Sequence, residues 1–114
     1  MLHVLLLEFT QGESEVQAHA AGHAEFLESH HRVGTFLLSG SCVAPGRGAV
    51  ALAVGISREQ AERLVLDDPL VRAGAARYTV LTVDPGRVTP LLASVVDVDE
   101  SRLRPRLRRR VRAG

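Results

Sequence analysis

The chain opens with an apolar run, Leu2-His3-Val4-Leu5-Leu6-Leu7, that meets Glu8 and Phe9 and then Thr10-Gln11-Gly12. A run so short and apolar predicts a central strand over 2–9. Over 13–33 the pattern changes to a helical period. At 100° per residue Val16, Ala20, Phe26, Leu27 and Val33 share one side, and Ala21, Glu25, Glu28 and Arg32 the other. Gly34 supplies the left-handed stop. Residues 35–42 and 49–56 are apolar again and flank Pro45-Gly46-Arg47-Gly48, which predicts two strands joined by a turn. Ser57 with Gln60 forms a capping box for a helix reaching about Leu66. Asp68-Pro69 starts a further short helical turn that ends at Gly74, with Asp as cap and Pro in the first position. Residues 76–83 form a fourth strand, closed by Asp84-Pro85-Gly86.

The order β-α-β-β-α-β predicts an α+β domain of the ferredoxin-like kind: an antiparallel sheet with the helices on one face. The opposite face is left apolar and uncovered. A second copy of the chain covers it most simply, so a C₂ homodimer is expected. Leu91 to Val98 is expected as a short helix or strand crossing to that partner. The domain is expected over residues 1–100 and a basic, flexible tail over 101–114.

Composition narrows this picture. The chain has 114 residues, 46% hydrophobic and 24% charged, which is one ordinary globular domain. Its single cysteine, Cys42, excludes an internal disulfide and is expected as a small half-buried apolar residue. The apolar start lacks a basic leader and is too short to span a bilayer, so a cytoplasmic protein with no membrane association is expected. All 14 basic residues are arginine, as a GC-rich bacterial genome favours. The net charge of +1 conceals an asymmetry. Residues 1–101 carry seven Arg against 13 acids, a charge of −6, and residues 102–114 carry seven Arg and no acid, a charge of +7. Nucleic acid is not expected as a partner beyond this tail, since the folded part is acidic and aromatic residues are only 4%.

Four of the five histidines, His19, His23, His30 and His31, fall on the first helix. On a continuous helix His19, His23 and His30 lie within about 40° of one another, on the inward side. Three roles compete: a hydrogen-bonded core-edge imidazole, a general acid or base, and a metal ligand. There is no His-Glu-x-x-His and no cysteine pair, so no metal is expected.

The segment His23-Ala-Glu-Phe-Leu-Glu-Ser-His30-His31-Arg-Val-Gly34-Thr-Phe-Leu-Leu-Ser39-Gly40 resembles the helix-to-strand signature of the YciI-like (YCII-related) domain family. Asp68-Pro69-Leu70-Val71-Arg72-Ala73-Gly74 resembles that family's second signature, and Tyr78 in the next strand is also similar. The resemblance spans about residues 1–93. It implies a ferredoxin-like fold that dimerises into an α/β barrel, and a site in which a helix histidine, here His23, pairs with the aspartate of Asp-Pro, here Asp68. It also implies that Ser39 lies at the pocket, and it suggests eliminations or isomerase-like proton transfers. Two departures are expected to touch the pocket wall: Ser41 follows Gly40 where the family has proline, and Leu70 follows Pro69 where it has an aromatic residue.

With Asp68 fixing one imidazole nitrogen, the other could exchange a proton with a substrate C–H or O–H. Ser39, Ser41 and Tyr78 are candidates to orient a substrate oxygen, and His30 is a further substrate-binding candidate. No nucleotide loop or cofactor fingerprint is present, so a cofactor-free lyase or isomerase acting on a small, aromatic or enolisable compound is expected. A non-catalytic ligand-binding or accessory dimer is the alternative, since Asp68 would serve equally as a helix cap.

Overall fold

The computed structural model describes residues 1–97. Its elements are β1 (Leu2–Phe9), α1 (Glu13–Ala18), α2 (Ala20–Arg32), β2 (Phe36–Ser41), β3 (Ala49–Val54), α3 (Arg58–Leu64), α4 (Pro69–Arg72) and β4 (Ala76–Val83). A 3₁₀ turn at Val65–Asp67 links α3 to α4, and another spans Pro90–Leu92. The strands form one antiparallel sheet in the order β2-β3-β1-β4. This is the ferredoxin-like arrangement, as the sequence pattern predicts.

Register decides which residues meet the helices. Residues directly opposite one another share a face. His3 pairs with Ala53 and Thr82, Leu5 with Ala51 and Val80, and Leu7 with Ala49 and Tyr78. Ser39 and Ser41 of β2 oppose Ala51 and Ala49 and so join the same face. Phe26 of α2 and Ala61 of α3 pack on Leu5, Phe36, Ala51, Ala53 and Val80 of this layer. A second cluster gathers Leu7, Leu70, Ala75 and Ala76, with Val16 of α1 against it.

The predicted single helix over 13–33 is two helices, broken at His19 (φ −113°, ψ 9°). The break lets α1 serve the Leu7–Leu70 cluster while α2 serves the Phe26–Phe36 cluster. Leu70, expected on the pocket wall, is core instead, 1% exposed. Cys42 is exposed rather than half-buried. Within 91–98, only the 3₁₀ turn at Pro90–Leu92 extends into the segment as regular structure among the described residues. Ser94, Val95 and Asp97 line a hollow with Met1, Ile56 and Gln60 of the same chain. Val98 and the basic segment 101–114 lie outside the described residues. Among the described residues no helix is long and apolar enough to cross a membrane.

The face away from the helices carries Leu2, Val4 and Leu6, with Leu52 and Leu81 beside them. Leu38 pairs with Leu52 on it. Leu38 and Leu81 are half-exposed, so among the described residues this apolar face is open.

Candidate active site

The inward residues of β3 are Ala49, Ala51 and Ala53. Such short side chains cannot fill the space between sheet and helix near Leu7. A cavity of about 280 Å³ results, lined among others by Leu7, His23, Leu27, Ser39, Ser41 and Tyr78. It is close to the lower bound of small-ligand sites, roughly 300 Å³, and suits a compound of about one ring.

Gly22 and Pro69 bring the chemistry to this cavity. A Cβ on Gly22 would stand 3.0 Å from Pro69 Cγ, a tight contact that would push α2 and α4 apart by a few tenths of an ångström, so the bare glycine favours their close approach. That approach sets His23 against Asp68, which begins α4. His23 Nδ1 lies 2.7 Å from Asp68 Oδ2. The Tyr78 hydroxyl donates to the same oxygen, also at 2.7 Å. The backbone N–H of Leu70 donates to Oδ1 at 3.0 Å. Asp68 is thus both helix cap and imidazole partner, and it is fully buried.

Burial on its own would raise the Asp68 pKa. The hydrogen bonds from His23, Tyr78 and Leu70, together with the imidazole charge, outweigh it and hold the carboxyl below its ordinary range. An ionised carboxylate accepts only, so His23 Nδ1 carries the proton between them, and whenever the ring is neutral Nε2 holds the lone pair. His23 keeps 18% of its side chain exposed and lines the cavity. Burial, and then the bond to Asp68, push the Tyr78 phenol strongly upward, so it stays protonated.

Of the candidates named from sequence, His23, Asp68 and Tyr78 meet in one bonded group, and Ser39 and Ser41 line the cavity with His23 and Tyr78. His30 does not join them. It packs against the rings of Phe26 and Phe36, each centroid 4.9 Å away, and burial lowers its pKa despite Asp67. His19 falls at the helix break. Two residues outside the candidate set matter. His31 Nε2 lies 2.8 Å from Ser39 Oγ. Gly22 carries the helix approach, and its only trace in the sequence is a glycine inside a helical pattern. A larger hollow of about 350 Å³ adjoins Cys42 and Arg47, but its one acid, Glu8, is engaged by Arg77 at the surface. Among the described residues no three His, Cys, Asp or Glu side chains are gathered to hold a metal ion.

A ferredoxin-like α+β domain with a buried aspartate and a histidine at the rim of a small cavity is the class of protein that fold and site define. The chain belongs to the YCII-related domain family, whose model matches residues 1–84. Among solved structures it is similar to the 5-chloro-2-hydroxyhydroquinone dehydrochlorinase of Burkholderia phenoliruptrix AC1100, solved in complex with 2,5-dihydroxybenzoquinone. The identity is 18% and the TM-score 0.62, and the match covers 73% of this chain and 93% of that one. At this identity the likeness is one of fold. No curated protein sequence matches the chain.

Proposed function

We propose that the protein is a small-molecule enzyme that moves a proton without a cofactor, as a lyase or isomerase, with His23 as base and Asp68 as its partner. The observation that carries this reading is the 2.7 Å bond from His23 to a buried carboxylate held by two further donors, at the wall of a cavity. Nε2 takes a proton from an acidic C–H or O–H of the substrate. The electron pair left behind forms a new double bond, or a carbonyl, as the leaving group departs with its own pair. Asp68 stays ionised throughout and stabilises the imidazolium. Ser39 and Ser41 orient a substrate oxygen, and Tyr78 walls the cavity while restraining Asp68. The name of the structural neighbour, a dehydrochlorinase acting on a hydroxylated aromatic ring, supports an elimination on a compound of that kind.

The active unit is a homodimer, in which a second copy covers the open sheet face. The expected setting is cytoplasmic, as the exposed lone thiol supports. Leu81→Arg is expected to give a monomer by sedimentation velocity, and an unchanged dimer would place the interface elsewhere.

A panel of chlorinated hydroquinones and cyclic enols tests the chemistry, read by chloride release and by deuterium uptake from solvent. Turnover by the wild type and its loss in His23→Gln is the expected result. Ligand binding with neither chloride release nor exchange would identify a non-catalytic ligand-binding dimer.

A further inference from the structure

His31 is an exposed imidazole two turns beyond His23 on α2, and nothing in the proposed reaction uses it. Its ring stands edge-on to Phe36, with centroids 5.9 Å apart, and its Nε2 meets Ser39 Oγ at 2.8 Å. Ser39 lines the same cavity as His23. The hydrogen-bond inventory of that cavity is lopsided. With His23 as the base, its one proton is spent on Asp68 and a lone pair remains on Nε2, and Tyr78 has spent its proton on Asp68 as well. Both therefore offer acceptors to a ligand. An oxygen that becomes negative when a proton leaves requires a donor. Besides the Nε2–H that His23 gains with that proton, only the serine hydroxyls supply one among the described side chains lining the cavity, and Ser39 is the serine held by a partner.

The direction of the His31–Ser39 bond decides what Ser39 offers. A hydroxyl has one proton and two lone pairs. Where Nε2 of His31 carries a proton, Ser39 accepts from it and its own proton is free to turn into the cavity. Both the Nε2–H tautomer and the imidazolium meet this condition. We propose that His31 is a positioning residue that makes Ser39 the hydrogen-bond donor to a substrate oxygen bearing negative charge, so that the site selects small phenols and enols as their anions. This rests on the reading of His23 as base: the O–H proton passes to Nε2, and the electron pair stays on the oxygen that Ser39 binds.

The probe is 4-nitrophenol, whose phenolate band reports its ionisation. The wild-type protein is expected to bind the phenolate in preference to the neutral phenol. Ser39→Ala and His31→Phe, which keeps a ring against Phe36, are each expected to lower phenolate affinity about tenfold while leaving affinity for the neutral phenol nearly unchanged. The double variant is expected to lose no more than either single one, because both act through one bond. His31→Gln, whose amide N–H can still donate to Ser39, is expected to retain affinity within about threefold. The proposal is overturned by additive losses, by an unchanged His31→Phe, or by a wild type with no phenolate preference. Imidazole NMR of the same variants separates the two levels. If His23 keeps its Nδ1–H tautomer while His31→Phe has no effect, only the positioning role fails. If His23 lacks that tautomer in the wild type, the acid–base reading itself fails.

Discussion

His3 on β1 and His23 on α2 lie at opposite ends of the interface between sheet and helices, and the bonding at the two ends differs. His3 is completely buried at the start of β1. Its Nε2 lies 2.8 Å from the Ile56 carbonyl and its Nδ1 3.0 Å from the Thr82 hydroxyl. A carbonyl only accepts, so Nε2 is protonated. Thr82 also accepts from Arg58, which is paired with Glu62, and so it has its own proton for Nδ1. Every nitrogen at that end is occupied. Four residues along β1, about 13 Å away, Leu7 and Tyr78 border a cavity in which, among the described residues, His23 is bonded through one nitrogen. A ring with both nitrogens bonded holds structure together, whereas a ring with one nitrogen fixed and the other open can do chemistry. Burial and residue type do not separate the two cases. The count of partners does.

Substitutions at the two ends should therefore separate activity from stability. His23→Gln, which can still donate to Asp68 but has no basic nitrogen, is expected to lower turnover roughly 10²–10⁴-fold. Its unfolding free energy should change by no more than about 1 kcal/mol in urea denaturation. His3→Ala should do the reverse. It strands the Thr82 hydroxyl and the Ile56 carbonyl and opens a cavity, at a cost of about 2–4 kcal/mol, with kcat of the remaining folded protein nearly intact. Loss of turnover without loss of stability in His3→Ala would dissolve the contrast.

Asp68→Asn sits between these extremes, because Asp68 serves both structure and site. It should cost about 1–3 kcal/mol and also lower turnover. Because the folded carboxyl is held below its ordinary value, its stabilising contribution is complete above about pH 4 and is lost as pH falls through the lowered folded value. Stability measured against pH should show this acid decline in the wild type and much less of it in Asp68→Asn. The smallest effect is expected at His30. Burial favours its neutral form, so its contribution is present above about pH 6.5 and fades below that as the folded ring protonates. His30→Phe should flatten a shallow slope between pH 7 and 5, and an unchanged slope would assign it to another group.

Much of the fold is legible in the chain because period and punctuation agree: alternation in β4, the Ser57–Gln60 box, and Gly34 and Gly74 closing helices with positive φ. The break at His19 is not legible, since no glycine or proline marks it; it follows from two separate clusters that α1 and α2 must each reach. The helical wheel shows why His30 groups with His23 on sequence alone. It gives angle and discards height, and seven residues are about 10 Å of axial rise, enough to move His30 from the cavity to the Phe26–Phe36 stack. Asp68 reads as a cap from its proline and is one. Its second oxygen, bonded to residues 45 and 10 positions away, belongs to the tertiary fold. The spare space at the site likewise comes from register, which lines up three alanines of β3 on the helix side.

The central claim is that Asp68 fixes His23 with a proton on Nδ1 and a lone pair on Nε2. Nitrogen-resolved NMR of the imidazole rings near pH 8, in the wild type and in Asp68→Asn, tests it most directly. His23 held as the Nδ1–H tautomer in the wild type, and turned toward Nε2–H when the amide of the Asp68→Asn variant offers a donor instead, is the predicted result. A tautomer mixture like that of a free imidazole in both proteins would contradict it and leave His23 without the orientation that proton transfer requires.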